Sequence, residues 1–100
     1  MKVTYLGHAC VSIEIEGKHF LVDPFISANP LAQHININDI EATYILLTHA
    51  HGDHILDAEA IAKRTGAPLI TNPEILAHYR ALGIDGHDMN IGGSHRFLDG

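Results

Sequence analysis

Thr43-Tyr44-Ile45-Leu46-Leu47-Thr48-His49-Ala50-His51-Gly52-Asp53-His54 is the stretch on which the fold turns. Residues 43 to 48 are an apolar run of the kind that forms a strand buried on both faces. The polar, histidine-rich turn follows that strand directly. Beyond it, Ile55, Leu56, Ala58, Ala60, Ile61 and Ala62 recur at helical spacing up to Thr65, and Gly66 supplies the C-terminal cap. The pattern predicts a strand, a turn bearing chemically active side chains, and a helix over 55–65.

Upstream, Val11, Ile13 and Ile15 alternate with Ser12, Glu14 and Glu16, the period of a strand with one buried and one wet face. Gly17-Lys18 reads as a two-residue hairpin loop leading into His19-Phe20-Leu21-Val22. With Lys2 to Leu6 these form an antiparallel meander that ends at Asp23-Pro24, because proline cannot continue a ladder. Residues 24–42 read as a long loop with a turn at Asn29-Pro30, and loops of that length are often functional.

Downstream, Pro68 to Thr71 is a short strand. Asn72-Pro73-Glu74 starts a helix, with Asn as cap, Pro at the first position and an acid in the first turn; it runs to Gly83. His87 to Leu98 reads as two short strands around Gly92-Gly93, and Asp99-Gly100 as a hairpin turn without its second strand. The order βββ, β-α-β-α, β predicts a mixed sheet with helices on one side, an α/β fold leaning to α+β.

One hundred residues, 46% of them hydrophobic, suit a single small domain. Six Lys and Arg against twelve Asp and Glu give a net charge of −6, with the basic residues scattered. Nucleic acid and anionic membrane are therefore not expected as partners, since either needs a clustered cationic face. Cys10 is the single cysteine, which excludes a disulfide framework and is most simply a small core residue. Met1-Lys2 leads into Val3-Thr4-Tyr5-Leu6, too short and polar for a secretory core, so a cytoplasmic location is expected.

Nine histidines are present, and three of them fall between positions 49 and 54. Imidazole and carboxylate suit zinc, iron and manganese, and a hydrolytic site needs about three protein ligands per metal with a position left for water. His49 and His51, two apart in extended chain, can turn their rings toward one metal. Gly52 lets the chain bend, which aims Asp53 and His54 at a neighbouring one. Three His and one Asp on a strand-to-helix turn are poorly explained as a chance helix cap.

The Thr-His-x-His-x-Asp-His pattern at 48–54 resembles the metallo-β-lactamase superfamily. Gly7-His8-Ala9-Cys10, Leu21-Val22-Asp23-Pro24-Phe25 and Met89-Asn90-Ile91-Gly92-Gly93-Ser94 look like its cytoplasmic, uncharacterised metal-dependent hydrolases, relatives of lactonases acting on ascorbate-6-phosphate. The resemblance implies an αββα sandwich with the site at one edge of its sheets. It implies His49 and His51 on a first metal, Asp53 and His54 on a second, and Asp23 orienting the metal-binding loop; a plain strand-end turn is the other reading of Asp23. It also implies that the remaining ligands come from a second half, which makes residues 1–100 the N-terminal half of the domain.

The expected cofactors are two divalent metal ions, zinc first and manganese or iron as alternatives. The expected reaction uses a metal-bound hydroxide on an ester-like bond of a small molecule, a lactone first and a phosphodiester second. Asp53 would hold the nucleophile and pass on its proton, and His8 would be a proton donor or substrate contact unless it is structural. The competing reading is a non-catalytic metal-binding half-module that forms a homo-oligomer or pairs with a complementing C-terminal half. His34 is a residue of the long loop that could line the substrate entrance, with solvent exposure the simpler reading; His19, His78, His87 and His95 are expected at surfaces.

Overall fold

The computed structural model describes residues 1–97. Strands β1 (Lys2–Gly7), β2 (Cys10–Ile15) and β3 (Lys18–Val22) form the expected meander. β4 (Tyr44–Leu46), β5 (Leu69–Thr71) and β6 (Gly86–Asp88) then add in parallel, each beside the strand before it. The six strands thus lie in the sheet in the order of the chain. Helices α1 (Gly52–Ile55) and α2 (Ala58–Thr65) connect β4 to β5, and α3 (Pro73–Arg80) connects β5 to β6.

Pairing partners share a face, so burial shows where the helices pack. Leu21, Ile45 and Leu69 are paired in succession and are fully buried with Cys10, Ile61 and Leu76 in one core. On the opposite face Val22, Leu46 and Ile70 are half-buried, and Phe20 stacks on Tyr44 with ring centroids 5.5 Å apart. At the meander end of that face Val3 is 59% and Tyr5 69% exposed. The helices therefore cover one side of the sheet, as the element order predicted. Among the described residues no helix is long and apolar enough to cross a membrane.

Several local expectations change. The hairpin loop is Glu16-Gly17, not Gly17-Lys18, because Ile15 pairs with Lys18. Its two residues have φ of +51° and +79°, the paired positive values that match a two-residue turn to the twist of its strands. β2 is half-buried along most of its length instead of alternating cleanly, and its faces are reversed from the expectation: Val11 and Ile13 pair with Val22 and Phe20 on the uncovered face, while Ser12 pairs with the buried Leu21 on the side the helices cover. The 24–42 loop contains 3-10 turns at Pro30–Ala32 and Ile37–Asp39, each opened by an Asn side chain that accepts a backbone N–H.

The helix expected over 55–65 is instead two. The first starts inside the motif at Gly52, which takes no left-handed conformation, and the break falls at Leu56-Asp57. α3 stops at Arg80, and Gly83, with φ +86°, lies in the turn beyond it. One strand, not two, forms among the described residues after position 85, and Asp99-Gly100 lies outside them.

Gly86 faces Leu69 across the β5–β6 pair, and a Cβ there would lie 2.1 Å from the Leu69 carbonyl oxygen. Only glycine permits that approach. Gly86→Ala is expected to lower stability by at least the ~1–3 kcal/mol of an overpacked core, read from the shift of the urea unfolding midpoint.

Candidate metal centre

Asp23 follows β3 and is 2% exposed. Its backbone N–H donates to Leu46 O at 2.9 Å, which prolongs the β3–β4 ladder by one bond. There the chain turns with φ +46°, a left-handed conformation that aspartate tolerates better than most residues. The turn points the carboxylate across the end of β4. Oδ1 accepts the Thr48 backbone N–H at 2.8 Å, and Oδ2 accepts the Thr48 hydroxyl at 2.6 Å and His54 Nδ1 at 2.8 Å.

These bonds fix protons further along. An ionised carboxylate only accepts, so His54 carries its proton on Nδ1 and presents Nε2 as a lone pair. The Thr48 hydroxyl spends its proton on Asp23, so its oxygen accepts from His49 Nδ1 at 2.9 Å. His49 likewise presents Nε2, 3.1 Å from His51 Nδ1. One buried carboxylate thus sets the tautomer of two imidazoles.

The rings of His49 and His54 are 4.1 Å apart at their centroids, and those of His8 and His54 5.3 Å. Two trios of donor atoms lie within 4.8 Å of one another: Asp23, His49 and His54, and His8, Asp53 and His54. Lone-pair imidazole nitrogens beside carboxylate oxygens are a donor set that fits a divalent metal ion. His54 belongs to both trios. His51, at the N-cap of α1, belongs to neither; it adjoins the cluster through His49 alone.

His8 enters from the β1–β2 turn, where its φ of +53° swings the ring over the site. Its Nε2 lies 2.9 Å from Asp53 Oδ2, with the two side chains 44% and 50% exposed. Partial desolvation works to raise the Asp53 pKa. The His8 hydrogen bond and the nearby His54 and His8 outweigh it, so the carboxyl titrates below its usual value. Burial, with the carboxylates of Asp23 and Asp57 adding to it, pushes the Cys10 thiol up to about 12 against a Phe25 backbone hydrogen bond. Cys10 is therefore a neutral core thiol at physiological pH, as expected.

Asp57 escapes the sequence reading, which takes it as one more residue of a long helix. It is 3% exposed, and its carboxylate accepts Ile26 N at 2.6 Å, Ser27 N at 2.9 Å and the Ser27 hydroxyl at 2.6 Å. Its own N–H donates to Pro24 O at 2.9 Å. This clamp breaks the helix and binds the segment after Asp23 to the segment after His54. The available signal is an acid directly before Ala58 and Ile61, where a helix cap belongs.

The remaining histidines divide. His34 is exposed on the long loop and His78 on α3. His19 is half-buried rather than superficial, 2.8 Å from Glu41 and 3.7 Å from Glu14. His87 and His95 stack at 3.9 Å on the uncovered face of the sheet, which draws His87 out of solvent.

Asp23→Ala leaves Thr48 N–H and His54 Nδ1 without their acceptor. The expected cost is about 2–4 kcal/mol in urea unfolding. Asp23→Asn, which keeps one acceptor oxygen, is expected to cost less than half of that.

A match to the Metallo-beta-lactamase superfamily spans residues 3–99. Over 97 residues the chain is 56% identical to a UPF0173 metal-dependent hydrolase of Flavobacterium johnsoniae, covering 97% of this chain and 43% of the relative. A second UPF0173 metal-dependent hydrolase, from Christiangramia forsetii, is 54% identical over 98 residues, again with 43% of the relative covered. The chain thus spans less than half the length of these relatives. The solved structure of Igni18, a metallo hydrolase from the hyperthermophilic archaeon Ignicoccus hospitalis, superposes with a TM-score of 0.85 at 36% identity, over 97% of this chain and 42% of that one. The His-Asp cluster, the sheet that presents it and these likenesses agree: the chain belongs to the metallo-β-lactamase superfamily and is related to its metal-dependent hydrolases.

Proposed function

We propose that this chain carries the metal-binding part of a cytoplasmic hydrolase that cleaves an ester-like bond in a small molecule, a lactone first and a phosphodiester second. The observation that carries the reading is the convergence of His49, Asp53 and His54, with His8 against them, at the end of β4. The crowding of imidazole and carboxylate donors supports bound divalent metal, and the family likeness supports two ions, zinc before manganese or iron, held by His49, His51, Asp53 and His54 with His8 beside them. Bound there, such ions supply Lewis acidity and lower the pKa of water toward ~7.

The protein's own groups divide the remaining work. Asp23 takes no ligand role in this proposal, because its oxygens are committed to Thr48 and His54; it holds both rings to their tautomers. Asp53, titrating low, is ionised at neutral pH and suits a base that orients the attacking water. His8 Nε2, hydrogen-bonded to Asp53 and exposed, suits the donor that returns a proton to the leaving group. The net charge of −6 supports a small-molecule substrate over nucleic acid.

The test measures metal content and turnover together. His54→Ala and His51→Ala are each expected to lose at least half of the bound metal, by elemental analysis after dialysis. His8→Ala is expected to keep its metal and lose ~10²–10⁴-fold in kcat on an ester substrate. Full metal content in His54→Ala would refute the assignment.

A second reading is favoured by the uncovered face of the sheet, where Val3 and Tyr5 stand exposed. In it, residues 1–100 are an N-terminal half-module that needs a second copy or a complementing C-terminal half to cover that face and complete the ligands. Size-exclusion chromatography with light scattering is then expected to show a dimer or larger species. A monomer holding two metal ions would count against it.

A further inference from the structure

His8 stands in a conformation that its own backbone does not favour. Gly7 pairs with Cys10, so His8 and Ala9 are the whole loop of the β1–β2 hairpin. His8 has φ +53° and Ala9 is not left-handed, which puts the loop's one positive φ at its first position, where such turns take glycine. A side chain there is strained, and it persists only where neighbouring groups hold it. This is the side chain whose Nε2 lies 2.9 Å from Asp53 Oδ2 and whose ring meets that of His54 at 5.3 Å. A return of His8 to an ordinary negative φ would carry the ring away from both.

Three contacts hold the turn. From inside, Gly7, at φ +109°, rests on the buried Asn29, and a Cβ on Gly7 would lie 2.8 Å from Asn29 Nδ2. Only glycine lets the loop sit so close in that conformation. Beside the ring, Phe25 meets His8 edge-on with centroids 5.8 Å apart. From outside, the Tyr5 hydroxyl donates to His8 O at 2.8 Å. The Asn29 seat acts on Gly7 and Phe25 touches the imidazole, whereas the Tyr5 bond grips the carbonyl of the residue whose φ and ψ aim the ring. Burial does not account for Tyr5, which lies on the uncovered face and is 69% exposed. The register shifts between Tyr5 and Gly7, an irregularity of the kind that re-aims a strand side chain next to a site. Here it brings the phenol back over the loop.

We propose that Tyr5 is a positioning residue of the hydrolytic reaction: its hydroxyl, bonded to His8 O, holds His8 in the left-handed conformation that sets the imidazole against Asp53. The proposal rests on the reading of His8 as the group that returns a proton to the leaving group. Tyr5 gives up no proton in this role and acts through His8. A hydrogen bond of ordinary strength shifts the balance between two loop conformations by up to about tenfold, which sets the size of the effect.

The test compares isotope-labelled wild-type protein with Tyr5→Phe, which removes one oxygen and keeps the ring. In the wild type, without added metal, the His8 ring protons are expected to show nuclear Overhauser effects to the rings of Phe25 and His54. Tyr5→Phe is expected to lose at least half of that intensity, with the rest of the spectrum preserved and zinc content after dialysis unchanged. Its kcat on p-nitrophenyl acetate is expected to fall roughly 3–10-fold, with KM within about twofold of the wild type. Intact His8 ring contacts in Tyr5→Phe would overturn the proposal, whatever the rate. Lost contacts with an unchanged kcat would overturn the part of Tyr5 in the reaction. His8→Ala separates that failure from one of the underlying reading, because wild-type kcat in His8→Ala removes the proton donor itself. The ring contacts decide the positional claim even where no turnover is measured.

Discussion

Asp23 is a buried carboxylate in a left-handed turn, and three hydrogen bonds to it hold the motif in shape. A buried carboxylate is costly unless each oxygen is satisfied. Here the satisfaction comes from the residues the site needs, so the energy that keeps Asp23 buried is the same energy that orients Thr48, His49 and His54. Asp57 repeats the arrangement one layer away, gathering Ile26 and Ser27. Two acids, one on each side of the motif, pin the loop after β3 to the helical segment after β4.

The parts of this arrangement that were legible in the sequence are those encoded by short-range pattern. The strand at 44–46, though buried on one face and not on both, the capped start at Asn72 and the left-handed glycine at 66 are each written in a few adjacent residues. The cluster at 49–54 was legible because its residue types are rare in such density. Asp57 was not, because its partners Ile26 and Ser27 are some thirty residues away and apolar spacing around it imitates an unbroken helix. The Glu16-Gly17 turn was misplaced by one residue because hairpin register depends on the φ of both loop residues, and a glutamate gives no hint of a positive one. The His87–His95 stack was likewise hidden, since it depends on a segment folding back over the sheet.

Charge is segregated along the carboxyl edge of the sheet. The ends of β3 and β4 gather carboxylates and imidazoles, whereas the ends of β4, β5 and β6 present hydroxyls, amides and hydrocarbon. Thr48 stands at the border and is tied to the charged side through Asp23. Such a division lets the neutral set vary without disturbing the hydrogen bonds that hold the charged one.

The strands follow one another across the sheet as they do along the chain. During synthesis each one meets a partner that has already emerged, so the sheet can be extended from its N-terminal side without rearrangement. Asp23 stands at the edge of β3 against which Tyr44 to Leu46 pair, and its partners Thr48 and His54 follow within the next few residues. The histidine cluster thus draws only on the ends of β3 and β4 and the turn to His54, whereas a neighbouring cleft draws on the ends of all three later strands, so a change at the far edge of the sheet reaches that cleft before it reaches the cluster.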